Sequence, residues 1–334
     1  MIDPALWREA RALVESQGLR FEPDLDDLVG LYEHDRLIGC GARQGYVLKM
    51  LALEPEHQGT SALGDLITQL LASARRAGHD TVFIYTTPQA APSFQAMNFR
   101  LLVAQGAVAL LEHGPGLEAY LADHAREMKP GRNGAIVLNA NPFTLGHQHL
   151  VEEAAHRCDQ LYLFVVREDR SVFPFAVREA LVREGTAHLP NVTVLDTSRY
   201  AVSAGTFPSY FLKRLEEASR LQMDLDLRLF AQRLAPPFQV VTRYVGQEPH
   251  CPTTAAYNRR MSEILAEHAI HWVEIPRIEA SGGAISATRV RKALLRGDFS
   301  ALESLVPPTT LRFLASPQGR PIVERLRTSQ EATP

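Results

Sequence analysis

Cysteine is scarce: the 334 residues include three, Cys40, Cys158 and Cys251. An odd, widely spaced set argues against a disulfide framework or a cysteine-built zinc site and predicts a reducing, cytoplasmic compartment. No apolar run approaches the ~20 residues of a membrane span, so no membrane association is expected. Met1 to Arg8 lack a cationic region followed by an apolar one, so no secretory leader is expected either. Neither sign of charge dominates. Lys and Arg number 35, Asp and Glu 38, and the net charge is −3. Without a basic excess there is no broad field to gather nucleic acid. Repeats and low-complexity stretches are absent. What remains is ordinary globular composition, 46% apolar and 22% charged, over a length that predicts two domains.

A seam lies at Lys129-Pro130-Gly131-Arg132-Asn133-Gly134, rich in turn formers. It separates a first domain, 1–128, from a second, 133–315; the stretch 316–334 reads as a polar tail that frays. Before the seam the pattern is mixed. A helix from Pro4 to Gln17 is capped by Asp3. His34-Asp35-Arg36 sits between two strand-like runs as a hairpin signal, and Val47 to Leu53 is another strand. A helix from Ala62 to Ala77 ends at Gly78. After the seam, apolar runs at Ala135–Leu138, Leu161–Val166, Val192–Leu195, Val240–Val245 and Trp272–Ile275 alternate with helices. That alternation predicts an α/β fold with a doubly wound parallel sheet. The stretch Arg214 to Leu234 reads as a helical insertion.

The most informative segment is Gly134 to His147. The run Ala135–Leu138 breaks into Asn139-Ala140-Asn141-Pro142, and helix resumes at Thr144-Leu145-Gly146-His147. A strand, tight turn and helix N-terminus form the place where an α/β sheet binds phosphate. There the free N–H groups and the positive end of the helix dipole point at the turn. Gly146 would let a phosphate or nucleoside approach the backbone, and His147 could donate to a phosphate oxygen.

Pro142-Phe143-Thr144-Leu145-Gly146-His147 resembles the Thr/His-x-Gly-His signature of the nucleotidyltransferase superfamily. Ile285-Ser286-Ala287-Thr288-Arg289-Val290-Arg291 is similar to that superfamily's Ile-Ser-x-Thr/Ser-x-x-Arg motif, in the expected order. The resemblance implies a Rossmann-like domain that transfers a nucleotide from ATP. His147 would meet the α-phosphate, with Thr144 hydrogen-bonding the same phosphates. Ser286, Thr288 and their helix amides would hold the β- and γ-phosphates, and Arg291 would neutralise the leaving pyrophosphate. Asn139, Asn141, Pro142, Phe143 and Ile285 complete the expected nucleotide site. Mg²⁺ is expected on the triphosphate, because the sequence offers no dedicated carboxylate cage.

Other residues carry two readings each. Arg178 opens a helix and faces either phosphate or solvent. Gly246 ends a strand, beside the nucleoside or only at a turn. Asn139 and Asn141 contact the nucleotide or brace the turn. Asp169, Arg170 and Ser171 line an acid-binding side or form a surface loop, and Lys129 reaches a phosphate or stays in the linker.

Wider stretches resemble the citrate lyase ligase family: Asn139 to His147, Phe164 to Ser171, Gly205 to Lys213 and Arg243 to Pro249. The resemblance implies an ATP-dependent acid–thiol ligase. Acetate would attack the α-phosphate, and the acetyl group would pass to the thiol of the coenzyme-A-like prosthetic group on the acyl carrier subunit of citrate lyase. A carrier of malonate decarboxylase, or synthesis of a nucleotide cofactor, stands as the alternative.

The first domain resembles the GNAT acetyltransferase fold in its strand, Gln-Gly loop and helix (Met50 to Leu66) and in Phe94 to Phe99, where Asn98 replaces a glycine. That implies an α+β domain. Its loop, Gln58-Gly59-Thr60-Ser61-Ala62-Leu63-Gly64, has Ser61 where the family has glycine. The domain would recognise the prosthetic group or serve only docking or structure.

Overall fold

A computed structural model describes residues 2–167, 171–201, 207, 210, 215–247, 252–280 and 283–331. Glu168, Asp169, Arg170, Cys251 and most of Gly205 to Lys213 fall outside these residues. The chain forms two compact units: Met1–His124 with Val202–Leu229, and Ala125–Ala201 with Phe230–Pro334.

The first unit is α+β. Its elements are α1 (Pro4–Ser16), β1 (Asp27–Glu33), β2 (Arg36–Gln44), β3 (Val47–Leu53), α2 (Ala62–Arg76), β4 (Val82–Thr86), α3 (Ala91–Gln95), β5 (Arg100–Gln105), β6 (Val108–His113) and α4 (Gly116–Asp123). Asp3 caps α1 by accepting the Ala5 N–H at 2.8 Å, with Pro4 at the first helical position. His34 and Asp35 take positive φ between β1 and β2, the geometry of a tight hairpin turn. Asn98 also has positive φ, 63°, which asparagine tolerates in place of glycine. The sheet order is β1-β2-β3-β4-β6-β5, antiparallel except where β3 meets β4. One face buries Leu66, Leu70, Ile84 and Leu111; the other buries Ala10, Val14, Met50 and Ala52.

The second unit holds β7 (Asn133–Leu138), α5 (Leu145–Ala155), β8 (Leu161–Val165), α6 (Phe175–Thr186) and β9 (Val192–Asp196). The chain then passes through the first unit as α7 (Leu215–Leu229) and returns to the second. There follow β10 (Val240–Gly246), α8 (Pro252–Glu267), β11 (His271–Ile275), the short β12 (Glu279–Ala280) and β13 (Gly283–Ala284), α9 (Ala287–Arg296), α10 (Pro308–Ala315) and α11 (Arg320–Glu331). The parallel sheet has the order β11-β10-β7-β8-β9. Every residue of β8 is buried, as a strand covered on both faces requires. α5 and α6 cover one face through Val151, Ala154, Leu181 and Val182.

Two stretches differ from the sequence reading. Val202–Leu229 lies inside the span 133–315 but packs with the first unit. Leu221 of α7 comes within 3.4 Å of the position a Cβ on Gly106 would take, between β5 and β6. The stretch after Ser316, read as a fraying tail, forms α11. Ile322 and Val323 are buried in a cluster with Val290 and Leu294 of α9, and Arg327 Nε donates to the Leu294 carbonyl at 3.0 Å.

Candidate active site

In the parallel sheet, β8 and β9 lie on one side of β7, and β10 and β11 on the other. The connections therefore diverge between β7 and β10, leaving a crevice at the carboxyl ends of the strands. The turn Asn139-Ala140-Asn141-Pro142 leaves β7 at this point, and Gly246 ends β10 beside it. Ala140, buried, holds φ 48°, a conformation the packed turn imposes at a cost of order 1–3 kcal/mol.

Thr144 is the N-cap of α5. Its hydroxyl accepts the His147 backbone N–H at 3.2 Å and lies 2.9 Å from His147 Nδ1. The Thr144 backbone N–H donates to the same Nδ1 at 3.1 Å. Nδ1 therefore acts as an acceptor, and the ring proton sits on Nε2. Burial, with the Arg277 charge as second cause, pushes the imidazole pKa down to about 4, so the ring is neutral near pH 7. Phe143 stacks on it, ring centroids 5.8 Å apart and planes 16° from parallel.

The second motif arrives beside the first. Ser286 caps α9 by accepting the Arg289 N–H at 3.3 Å, and Thr288 is exposed in the first turn. Half-buried Arg291 donates from Nη1 to the Asn141 carbonyl at 2.6 Å and from Nη2 to the Thr288 hydroxyl at 3.2 Å. Burial lowers its pKa from the ordinary guanidinium value. A Cβ on Gly146 would stand 3.1 Å from the Ile285 carbonyl oxygen, and Leu145 N–H donates to Leu305 O at 3.0 Å. The two helix N-termini thus abut.

Several expectations change. Thr144, 1% exposed, is committed to the ring and backbone of His147 instead of facing phosphate. The missing side chain of Gly146 leaves room for the Ile285 carbonyl. Phe143 is fully buried and fits where Gly185 of α6 lacks a side chain; a Cβ there would meet its ring at 2.4 Å. Phe143, buried Pro142 and the Ile285 side chain are wall and foundation of the site, not contacts for a base. Arg178 is neither solvated nor aimed into the crevice. It is fully buried and donates to the carbonyls of Phe173, Asn139 and Val166 at 2.8–2.9 Å, and to Asn139 Oδ1 at 2.8 Å. It thereby ties the ends of β7 and β8 together.

Asn139 is exposed, with Oδ1 taken by Arg178 and by the Ser171 hydroxyl, so any ligand contact falls to its NH₂. Asn141 Oδ1 accepts the Phe173 N–H at 3.0 Å. The Gly246 carbonyl accepts from Asn258 Nδ2 at 3.4 Å. Lys129 is held elsewhere, its backbone N–H donating to the Tyr162 hydroxyl at 2.9 Å.

One residue escaped the sequence reading. Arg277, just past the end of β11, donates from Nε to the Gln247 carbonyl after β10 and lies close enough to His147 to depress its pKa. Its signal was position: Pro276-Arg277 follows the carboxyl end of a parallel strand, where α/β sheets bind ligands.

Among the described residues no cluster of three or more His, Cys, Asp or Glu could hold a metal ion, and no helix is long and apolar enough to cross a membrane. Cys40 and Cys158 are free thiols, pushed up by burial to about 12 and about 11.

A family model for the citrate lyase ligase C-terminal domain matches residues 133–314. The chain is 42% identical over 303 residues to citrate (pro-3S)-lyase ligase of Klebsiella pneumoniae, spanning 89% of each chain. A stretch of 113 residues is 29% identical to phosphopantetheine adenylyltransferase of Streptococcus gordonii, 32% of this chain and 69% of that one. Among solved structures, a Desulfovibrio desulfuricans protein described as a GNAT-family acetyltransferase overlaps 34% of this chain and 95% of its own at 18% identity, with a TM-score of 0.29.

Proposed function

The chain belongs to the citrate lyase ligase family, and from that premise we propose that it activates acetate with ATP and acetylates the prosthetic-group thiol on the acyl carrier subunit of citrate lyase. The observation that carries this reading is the meeting of two helix N-termini at the sheet's switch point, with the Nε2–H of His147 and the guanidinium of Arg291 beside them.

Acetate is already an anion at neutral pH, so attack on the α-phosphate needs no general base. The barrier is one of charge and alignment, which fixed donors lower. His147 donates its Nε2–H to an α-phosphate oxygen. Being neutral, it contributes direction, while Arg291 contributes charge. Ser286, Thr288 and the first amides of α9 hold the β- and γ-phosphates. The NH₂ of Asn139, the Asn141 segment and Gly246 border the nucleoside. Thr144, Phe143, Gly146, Pro142, Ile285 and Arg178 position these groups. Mg²⁺ would come bound to the triphosphate that Ser286, Thr288 and Arg291 hold, and would supply neutralisation of phosphate charge there.

In the first step an acetate oxygen bonds to the α-phosphorus as its bond to pyrophosphate breaks, giving acetyl-adenylate. In the second, the carrier sulfur bonds to the acetyl carbon, the bond to the AMP oxygen breaks, and the thiol proton leaves to solvent. Cys40 and Cys158, held as thiols, do not intervene. The need for ATP and a reduced carrier thiol suits the cytoplasm.

The test is acetate-dependent exchange of labelled pyrophosphate into ATP without carrier. Wild type exchanges, and His147→Ala falls at least ~100-fold. Exchange that ignores acetate and needs a phosphorylated acceptor would instead make this a cofactor-forming nucleotidyltransferase. Acetylation of the citrate lyase carrier over that of malonate decarboxylase identifies the partner.

A further inference from the structure

The first unit contains an opening in its own sheet. β3 and β4 run parallel but pair at two positions only, Val47 with Phe83 and Leu48 with Ile84. β4 meanwhile pairs with β6 along its whole length. Beyond Leu48 no rungs join the facing edges of β3 and β4. Where β3 parts from β4 it also bulges: Met50 and Leu51 together oppose Gly41 of β2, and Met50 takes φ 55°. A bulge of this kind leaves a strand N–H outside the ladder. Two diverging strand edges that carry N–H and C=O groups form a slot for an extended chain bearing amides. Both faces beside the slot are packed, one by Leu66, Leu70 and Leu111, the other by Ala10, Cys40 and Ala52. A peptide strand needs side-chain room on alternate faces. The slot therefore fits an unbranched amide arm of the type coenzyme A carries.

Tyr210 occupies it. The residue comes from the segment Val202–Leu229, is 7% exposed, and packs in one cluster with Met50, Ala52 and Cys40. Its hydroxyl donates to the Tyr85 carbonyl on β4 at 3.4 Å. On β3, Met50 packs in the same cluster as the phenol. The phenol thus packs beside one strand and donates to the carbonyl of the other, where an amide of a bound arm would sit. The Tyr210 carbonyl accepts the Arg20 N–H at 2.9 Å, and Phe207 packs edge-on against Tyr85. Burial raises the phenol pKa above its ordinary value, so the donated proton stays in place.

The neighbouring helix start carries an independent sign. At the N-terminus of α2, the Thr60 hydroxyl accepts the Ala62 N–H at 3.2 Å, and Asp65 lies in the first turn. A spent donor and a fixed negative charge make this end a poor seat for a pyrophosphate.

We propose that Tyr210 is the built-in occupant of an amide-arm slot between β3 and β4, so that the first unit takes up no coenzyme-A-type arm while Tyr210 is seated. The unit keeps the frame of an acyl-arm binder with its cleft filled from within the chain.

The test uses the full chain and titrates coenzyme A and acetyl-coenzyme A by calorimetry, alongside amide hydrogen exchange. Wild type should show no saturable binding up to about 1 mM, and Tyr210→Ala should bind at least about tenfold more tightly. Added ligand should slow exchange at the Met50 amide in that variant. Wild-type binding that protects the β3 and β4 edges overturns the proposal, as does a folded Tyr210→Ala that still binds neither ligand. Should Tyr210→Ala fail to fold, Tyr210→Phe decides. Loss of the hydroxyl removes the ring's bond to the Tyr85 carbonyl, so Tyr210→Phe should bind coenzyme A at least about tenfold more tightly than wild type, and binding no tighter than wild type overturns the assignment. Acetate-dependent pyrophosphate exchange, read in the same samples, should stay at the wild-type level in every Tyr210 variant. Failure of the ligase reading would instead appear as missing exchange in wild type.

Discussion

Thr144 and His147 hold each other in a closed pair: the Thr144 hydroxyl takes the His147 backbone N–H at 3.2 Å, while Nδ1 of His147 takes the Thr144 backbone N–H at 3.1 Å. A charged histidine in place of Thr144 could contact phosphate directly. Threonine instead fixes the tautomer of its neighbour. Thr144→Ala should reduce pyrophosphate exchange ~10- to 100-fold and cost about 1 kcal/mol in unfolding free energy from the lost cap. Thr144→Ser should restore both. Serine that restores stability without activity would show that the hydroxyl does not act through the ring.

The same pair sets a pH dependence. His147 titrates at about 4 in the folded chain, against 6.5 when unperturbed. Between these values the unfolded chain binds a proton that the folded chain does not. The stability due to His147 is therefore complete above pH 6.5 and is lost as pH falls toward 4. Because the neutral ring is the active form, kcat for exchange should show no His147 limb between pH 8 and 6 and should fall only toward pH 4. A limb centred near 6.5, absent from His147→Gln, would mean that the imidazolium is the active species.

Gly146→Ala brings two effects of opposite sign. Alanine inside a helix is worth roughly 0.5–1 kcal/mol over glycine. Its Cβ, however, would lie 3.1 Å from the Ile285 carbonyl, which must move by a few tenths of an ångström. Thermal unfolding should change little. KM for ATP should rise several-fold, because the start of α5 and the start of α9 are pushed apart. An unaltered KM would separate the seat of the triphosphate from this contact.

Arg178→Lys should behave as a core lesion. One ammonium cannot reach the carbonyls of Phe173, Asn139 and Val166 together, and each buried carbonyl left without a donor costs roughly 1–3 kcal/mol. A loss of about 2–4 kcal/mol in urea unfolding is expected. Loss of activity with full stability would place Arg178 among the ligand contacts instead.

The parallel sheet was legible because its strands are continuous apolar runs and its helices carry caps, Thr144 and Ser286 above all. The meeting of the two motifs was legible as order, not as geometry. Glycine and phenylalanine in a phosphate-type turn read as ligand-facing, yet Gly146 and Phe143 are governed by Ile285 and Gly185, residues 139 and 42 positions away in sequence. Arg178 misled for a related reason: its partners are backbone carbonyls, which leave no mark in side-chain pattern. The passage of Val202–Leu229 into the first unit was equally hidden. A helix with an apolar stripe declares that it will pack, but not against which sheet.

That passage has a consequence for synthesis. A ribosome releases Met1–His124 first, then Ala125–Ala201, and only afterwards the Val202–Leu229 segment that supplies α7 and Tyr210 to the earlier unit. Until then the nascent β5 lacks its covering helix and the β3–β4 gap lacks its phenol. The two units therefore mature interleaved on the ribosome, with the earlier half waiting on a late delivery, in contrast to beads that fold one after another.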